Sequence, residues 1–173
     1  MIEARPVATP RLDLLPLRTA DAAEMARVLG DPALHTFIGG EPYSEDALRA
    51  RYRRLVAGSP DPAVSWLNWV VRLRAEDCLT GTVQATVDHA ARVAEIAWVV
   101  GTPWQGRGIA GEAARALADA LAGGTVAGPL EAVVAHVHPE HAASAAVARS
   151  AGLSPTGVWQ DGEIRWRRLP PPG

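Results

Sequence analysis

The segment Val99-Val100-Gly101-Thr102-Pro103-Trp104-Gln105-Gly106-Arg107-Gly108-Ile109-Ala110-Gly111-Glu112 carries the clearest chemistry in this 173-residue sequence. Glycine-lined backbone running into a helix start lets several amide N–H groups converge on one anion. The helix dipole adds about half a positive charge at that end. Phosphate or pyrophosphate suits such a loop, and Arg107 can add a charge-assisted contact. Gly106-x-Gly108-x-x-Gly111 also fits the dinucleotide fingerprint. That reading, a nucleotide-binding oxidoreductase, is disfavoured by topology. Gly101 to Gln105 intervenes where the fingerprint leaves its strand at once, and Glu131 begins the next strand instead of ending it. A Walker loop needs a lysine, and all seventeen basic residues here are arginine. The same absence removes any lysine nucleophile or Schiff base.

Four other features invite a chemical reading. Glu95 interrupts the apolar run Ala94-Glu95-Ile96-Ala97-Trp98. His138 and His141 form an H-x-x-H pair, but Pro139 lies between them and no third ligand is evident, so no metal is expected. Cys78, the single cysteine, excludes an intrachain disulfide and reads as a small apolar residue in a hairpin away from the glycine loop. Six tryptophans stand against one phenylalanine. Trp66 and Trp69 fall on a core strand, and most of the six suit core or half-buried sheet positions.

The elements that must position these residues alternate along the chain. Arg11–Leu17 reads as a strand. Thr19 is the expected N-cap of a helix closed by Gly30, and Ser44 that of a second helix ending at Gly58. Trp66–Leu73 and Leu79–Val87 form a hairpin around Arg74-Ala75-Glu76-Asp77, followed by the strand Val93–Val100. The alanine-rich helix Ile109–Ala122 stops at Gly123-Gly124. Leu130–Val137 is apolar enough to be a central strand. Pro139–Ala151 reads as a short helix capped by Gly152, and one or two strands follow around Asp161-Gly162. The order β-α-α-β-β-β-α-β-α-β-β implies an α+β fold with a mixed, mostly antiparallel sheet of six to seven strands, about four helices and one parallel pair.

Composition bounds the partners. Hydrophobic residues are 48%, charged residues 21% and the net charge −2. One domain spanning residues 1–173 is expected, with a core large enough to need no staple. No basic surface for nucleic acid and no membrane span are expected. The N-terminus carries Glu3, Arg5 and two prolines in place of an apolar signal core, so the expected location is cytoplasmic.

Gln105-Gly106-Arg107-Gly108-Ile109-Ala110, between a strand and an alanine-rich helix, resembles the acetyl-CoA pyrophosphate loop (Q/R-x-x-G-x-G/A) of GCN5-related N-acetyltransferases. His138-Pro139-Glu140-His141-Ala142-Ala143-Ser144, running to Ala151-Gly152-Leu153, is similar to the H-P-x-N-x-x-S…G-F/L segment of the branch that includes ribosomal-protein N-terminal acetyltransferases. Thr9-Pro10-Arg11-Leu12 and Phe37-Ile38-Gly39-Gly40 resemble the same branch. The resemblance covers nearly the whole chain in order.

It implies that the parallel strands Val93–Val100 and Leu130–Val137 splay apart around acetyl-CoA. The pantetheine would run along Trp98, Val99 and Val100, and the pyrophosphate would sit on the amides of Gln105, Gly106, Arg107, Gly108, Ile109 and Ala110. Glu95 falls where many members carry an acid and is the expected general base, unless it is simply an edge carboxylate facing solvent. The family's tyrosine on the last helix is missing. Ser144 is the remaining hydroxyl for protonating the thiolate, or else a helical serine bonded to a local carbonyl. His141 replaces the family's asparagine beside the cofactor. Glu41 and Tyr43, between the first two helices, are candidates for holding a cationic amine. The implied activity is acetyl transfer to a primary amine, a small molecule or a protein N-terminus, by direct attack in a ternary complex. The absence of a well-placed cysteine argues against an acetyl-enzyme. A catalytically weak acyl-CoA-binding sensor is the alternative, and monomer and homodimer are both open.

Overall fold

Apolar residues at alternate positions write the strands, and the computed structural model, which describes residues 2–172, joins eight of them in one sheet. They are β1 (Val7–Ala8), β2 (Leu12–Pro16), β3 (Val64–Leu73), β4 (Cys78–Asp88), β5 (Val93–Val100), β6 (Ala132–Val137), β7 (Ser154–Gln160) and β8 (Glu163–Arg168). The spatial order is β1-β2-β3-β4-β5-β6-β8-β7. Every neighbouring pair is antiparallel except β5–β6. The expected mixed sheet is present with eight strands instead of six to seven. The addition is β1, two residues long and too short to show a pattern.

Five helices cover the sheet: α1 (Ala22–Val28), α2 (His35–Ile38), α3 (Glu45–Ala57), α4 (Ile109–Ala122) and α5 (Ala142–Ser150). The extra one relative to the sequence is the single-turn α2. Ser44 caps α3 as expected, its Oγ accepting from the Ala47 amide at 3.2 Å. Thr19 does not cap α1. A 3₁₀ turn, Thr19–Asp21, precedes that helix, and the Asp21 carboxylate reaches back to the Arg18 amide at 2.8 Å. Pro139 does not start α5 either. The His141 amide donates to the His138 carbonyl at 2.9 Å, so His138 to His141 is a turn and the helix begins at Ala142. Asp161 and Gly162 turn the last hairpin with φ of 51° and 80°, the two positive values a tight hairpin turn needs.

The helices lie on opposite faces. Ile109, Ala113, Leu117 and Leu121 of α4 pack against Leu67, Trp69, Val83, Ala85 and Ile96 on one side of the sheet. Met25, Val28, Leu48 and Tyr52 of α1 and α3 pack against Val70 and Leu79 on the other. Each fully buried leucine contributes about 1.5–3 kcal/mol, which holds both layers to the sheet.

The centre of the sheet is where the regular pattern fails. β5 and β6 are paired only at Val93↔Ala132, Ala94↔Val133 and Glu95↔Val134. Both strands run on, to Val100 and Val137, without further pairing. The splay that the family resemblance implies is thus present. On its other side β5 stays paired with β4 as far as Gly81↔Val100. That approach is so close that a Cβ on Gly81 would lie 2.1 Å from the Val99 carbonyl oxygen. Gly81→Ala is therefore expected to lower stability by about 1–3 kcal/mol and to weaken acetyl-CoA binding by displacing the edge of the gap. Thermal unfolding and a CoA titration check this; a variant as stable as the parent refutes it.

Candidate active site

The glycine loop starts where β5 ends. Gly101 donates to the Thr80 carbonyl at 2.8 Å, and the 3₁₀ turn Thr102–Trp104 follows. Gln105 closes that turn, its amide donating to the Thr102 carbonyl at 3.2 Å and its side chain to the Val100 carbonyl at 3.1 Å. The Gln105 amide is therefore engaged within the loop, a correction to its expected place among the pyrophosphate-binding amides. From Gly106 to Gly111 no protein acceptor takes a backbone N–H among the described residues. Gly106 and Gly108 have φ of 73° and 76°, a region L side chains rarely adopt, and Gly108 stands at the N-cap of α4. A Cβ on Gly106 would meet nothing within 4 Å. Free amides, a helix N-terminus and open space suit the diphosphate of CoA. Gly111 joins the row although the sequence reading stopped at Ala110.

Three carboxylates hold this loop, two from elsewhere in the chain and one from the helix it runs into. Asp31 accepts from the Thr102 hydroxyl at 2.7 Å. Glu76, in the β3–β4 turn, accepts from Arg107 Nη2 at 2.6 Å and from Trp104 Nε1 at 3.2 Å. Glu112, on the first turn of α4, takes the Thr9 hydroxyl at 2.6 Å, the Arg11 amide at 3.2 Å and Arg11 Nε at 2.9 Å. Arg11 also donates to the Arg107 carbonyl at 3.0 Å. Thr9-Pro10-Arg11 is thus a clamp on the loop, a role invisible in sequence because the partners lie about a hundred residues apart. Arg107 points at Glu76, so its guanidinium reaches a phosphate only by releasing that carboxylate.

The same turn brings Cys78 to the loop, contrary to the expectation that it lies away. Its Sγ is 4.0 Å from Glu76 Oε2. Burial, then the Glu76 charge, push the thiol pKa up and keep it protonated.

Glu95 sits at the last paired position before β5 and β6 part. Its Oε1 lies 2.8 Å from His136 Nδ1 on β6, and Arg165 Nε on β8 donates to His136 Nε2 at 3.2 Å. With Nε2 accepting, the imidazole carries its proton on Nδ1 and donates to Glu95. The carboxylate is half exposed, but it is oriented by a neighbour and is no loose edge residue.

Across the gap, Ser144 lies on the first turn of α5. Its Oγ is 3.5 Å from His141 Nε2 and has no local carbonyl partner among the described residues, unlike Ser150, which bonds back to Ala146. Burial, then His138, lower the His141 pKa against the pull of Glu163, so the ring is mainly neutral at pH 7. Phe37 of α2 stacks on His141 with ring centroids 4.2 Å apart. Glu163 is a neighbour of His141 that only the tertiary fold reveals. His138 accepts from the Glu140 amide at 3.1 Å. No group of three or more His, Cys, Asp or Glu side chains that could hold a metal occurs among the described residues.

Beneath α1 and α3, on the Glu95 face of the sheet, lies a cavity of about 160 Å³. Asn68, Thr82, Gln84 and Val99 line it from the sheet, with Tyr43, Arg51 and Tyr52 from the helical side. Tyr43 lines this cavity, with the Arg51 guanidinium 5.7 Å from its ring centre. Glu41 is exposed and is not part of the lining.

Residues 11–154 match the family model described as "Acetyltransferase (GNAT) domain". The chain belongs to this family and is an acetyl-CoA-dependent N-acetyltransferase. It is similar in structure to an acetyltransferase from Agrobacterium tumefaciens, with TM-score 0.72, 25% identity, and coverage of 95% of this chain and 94% of that one. A ribosomal L7/L12 α-N-protein acetyltransferase, RimL, in complex with coenzyme A gives 0.75 at 14% identity, covering 95% and 98%. A spermidine N-acetyltransferase from Vibrio cholerae in complex with CoA and spermine gives 0.72 at 21%, covering 94% and 97%. No curated protein sequence matches the chain significantly. No described helix is long and apolar enough to cross a membrane.

Glu112 has a lowered pKa: burial opposes the charge, but the Thr9 and Arg11 hydrogen bonds outweigh it. A depressed carboxylate contributes stability above its unfolded pKa and loses it as pH falls through the folded value. Glu112→Gln is expected to lower stability by about 1–2 kcal/mol at neutral pH, and the gap should close below about pH 4. Unfolding midpoints against pH check this; a gap that persists in acid refutes it.

Proposed function

We propose that this enzyme transfers acetyl from acetyl-CoA to a primary amine by direct attack within a ternary complex. The observation that carries the reading is the position of Glu95, a hydrogen-bonded carboxylate at the point where β5 and β6 part. The bound thioester supplies the activated acyl carbon. The amides of Gly106 to Gly111 hold the diphosphate, which fixes the arm in the gap along Trp98, Val99 and Val100. Glu95, oriented by His136, takes one proton of the bound ammonium through a water and so frees the nitrogen lone pair. That lone pair forms the new C–N bond, the C–S bond breaks, and the second N–H proton leaves to solvent water. Ser144 delivers a proton to the departing thiolate and regains one from solvent by way of His141. The protonated Cys78 thiol and its place beside Glu76 favour this route over an acyl-cysteine. Ribosomal-protein and spermidine acetyltransferases among the structural neighbours support a protein N-terminus or a small amine as acceptor.

Glu95→Gln is expected to lower kcat at neutral pH by about 10²-fold or more, with acetyl-CoA affinity near that of the parent. An unchanged kcat removes Glu95 from the mechanism. Gly108→Asp should weaken CoA binding by at least about tenfold, because it sets a carboxylate among the diphosphate amides in a strained backbone region. Undiminished affinity in a CoA titration counts against the loop.

A further inference from the structure

The cavity beneath α1 and α3 has an electrostatic character that narrows the acceptor. Its volume of about 160 Å³ is close to that of engineered cavities that take a single benzene ring. Leucines, with Ala26 and Val99, make its aliphatic part, Asn68, Thr82, Gln84 and His35 join Arg51 on its polar part, and no aspartate or glutamate lines it. Gln84, one of its polar residues, is paired with Ala97. Ala97 lies two residues from Glu95 on the same face of β5, ~7 Å along the strand.

Arg51 is the one arginine in this lining. It is half-buried and makes no ion pair among the described residues. Arg49, on the same helix, takes both Glu45 and Asp46. Burial, then the Asp21 charge, raise the pKa of Tyr52 in the cavity wall. The Asp21 oxygens already accept from the Arg18 amide and guanidinium at 2.8 and 2.9 Å. The Arg51 guanidinium borders this cavity 5.7 Å from the Tyr43 ring centre and has no ion-pair partner among the described residues, so it lacks a counter-charge that a ligand can bring. A second ammonium group placed there would meet a like charge.

We propose that the acceptor is a primary amine joined, through a compact apolar body about the size of one ring, to a carboxylate that pairs with Arg51. This rests on the assignment of the Glu95 face as the acceptor side. It disfavours polyamines and aminoglycosides, which are too long or too polycationic for the cavity.

Three matched probes test it: 4-(aminomethyl)benzoate, benzylamine and 4-(aminomethyl)benzylamine, with spermidine as a fourth, at saturating acetyl-CoA and with CoA release as the readout. The carboxylate probe is expected to show kcat/KM at least about tenfold above the neutral amine, and more above the two polyamines. Arg51→Gln should bring the carboxylate-to-neutral ratio to about one, and Arg51→Glu should reverse the order in favour of the diamine. As a check independent of turnover, 4-methylbenzoate should compete with the acceptor and lose that effect in Arg51→Gln. Turnover that is equal across the probes, or highest with spermidine, overturns this inference and leaves acetyl transfer intact. Equal losses on all probes in Arg51→Gln also overturn it, because they mark a merely structural arginine. No turnover on any amine by an enzyme that binds acetyl-CoA overturns the acceptor-side reading itself.

Discussion

Two parallel strands that stop exchanging hydrogen bonds while both run on leave main-chain groups without partners in the middle of a sheet. Such groups must be satisfied by water or by a ligand. Here β5 and β6 part beyond Glu95 and Val134, and β5 is kept extended by its unbroken pairing with β4. The functional parts stand around that opening. Glu95 is at its apex, the amides of Gly106 to Gly111 are at its far end, and Ser144 is on the helix that follows β6. An extended thiol-bearing arm with an amide backbone is the kind of molecule that completes a missing strand edge, and CoA carries its diphosphate at the right end of such an arm.

The glycine loop proposed to receive the diphosphate is not self-supporting. Its own hydrogen bonds reach only as far as Gln105, and beyond that point two glycines hold backbone geometry that other residues resist. Asp31, Glu76 and Glu112 supply the missing restraint from three separate parts of the chain, and each has its pKa lowered by the bonds it accepts. The anion-binding amides are thus kept in place by anions on the outside of the loop, which leaves the inner face free of protein acceptors. The arrangement couples the N-terminal segment and the β3–β4 turn to the cofactor end of the site.

The groups that the proposed reaction needs for proton transfer stand in two hydrogen-bonded clusters. Arg165 fixes the His136 tautomer, and His136 in turn orients Glu95. In the other cluster His141, neutral through burial and stacked on Phe37, faces Ser144. The asparagine that the family segment carries is replaced by a ring able to accept and donate a proton. A serine and a neutral imidazole stand where the family's tyrosine is lacking.

The sequence by itself determined the class of fold and the location of the anion loop. Both rest on local rules: apolar periodicity, Ser44 as a cap, and glycines at positions with positive φ. It also placed Glu95 on its strand. What it could not determine is whom each side chain meets. Glu95 and His136 are 41 residues apart, and Arg11 and Glu112 are 101 apart; sheet order, and not sequence distance, brings them together. Cys78 looked remote from the loop because a hairpin turn reveals nothing of the surface it folds onto. Nothing in the sequence separates Tyr43, which lines the cavity, from Glu41, which stands exposed outside it. Short-range chemistry is written in the chain, whereas the charge environment of a site is a sum over neighbours that only packing assembles.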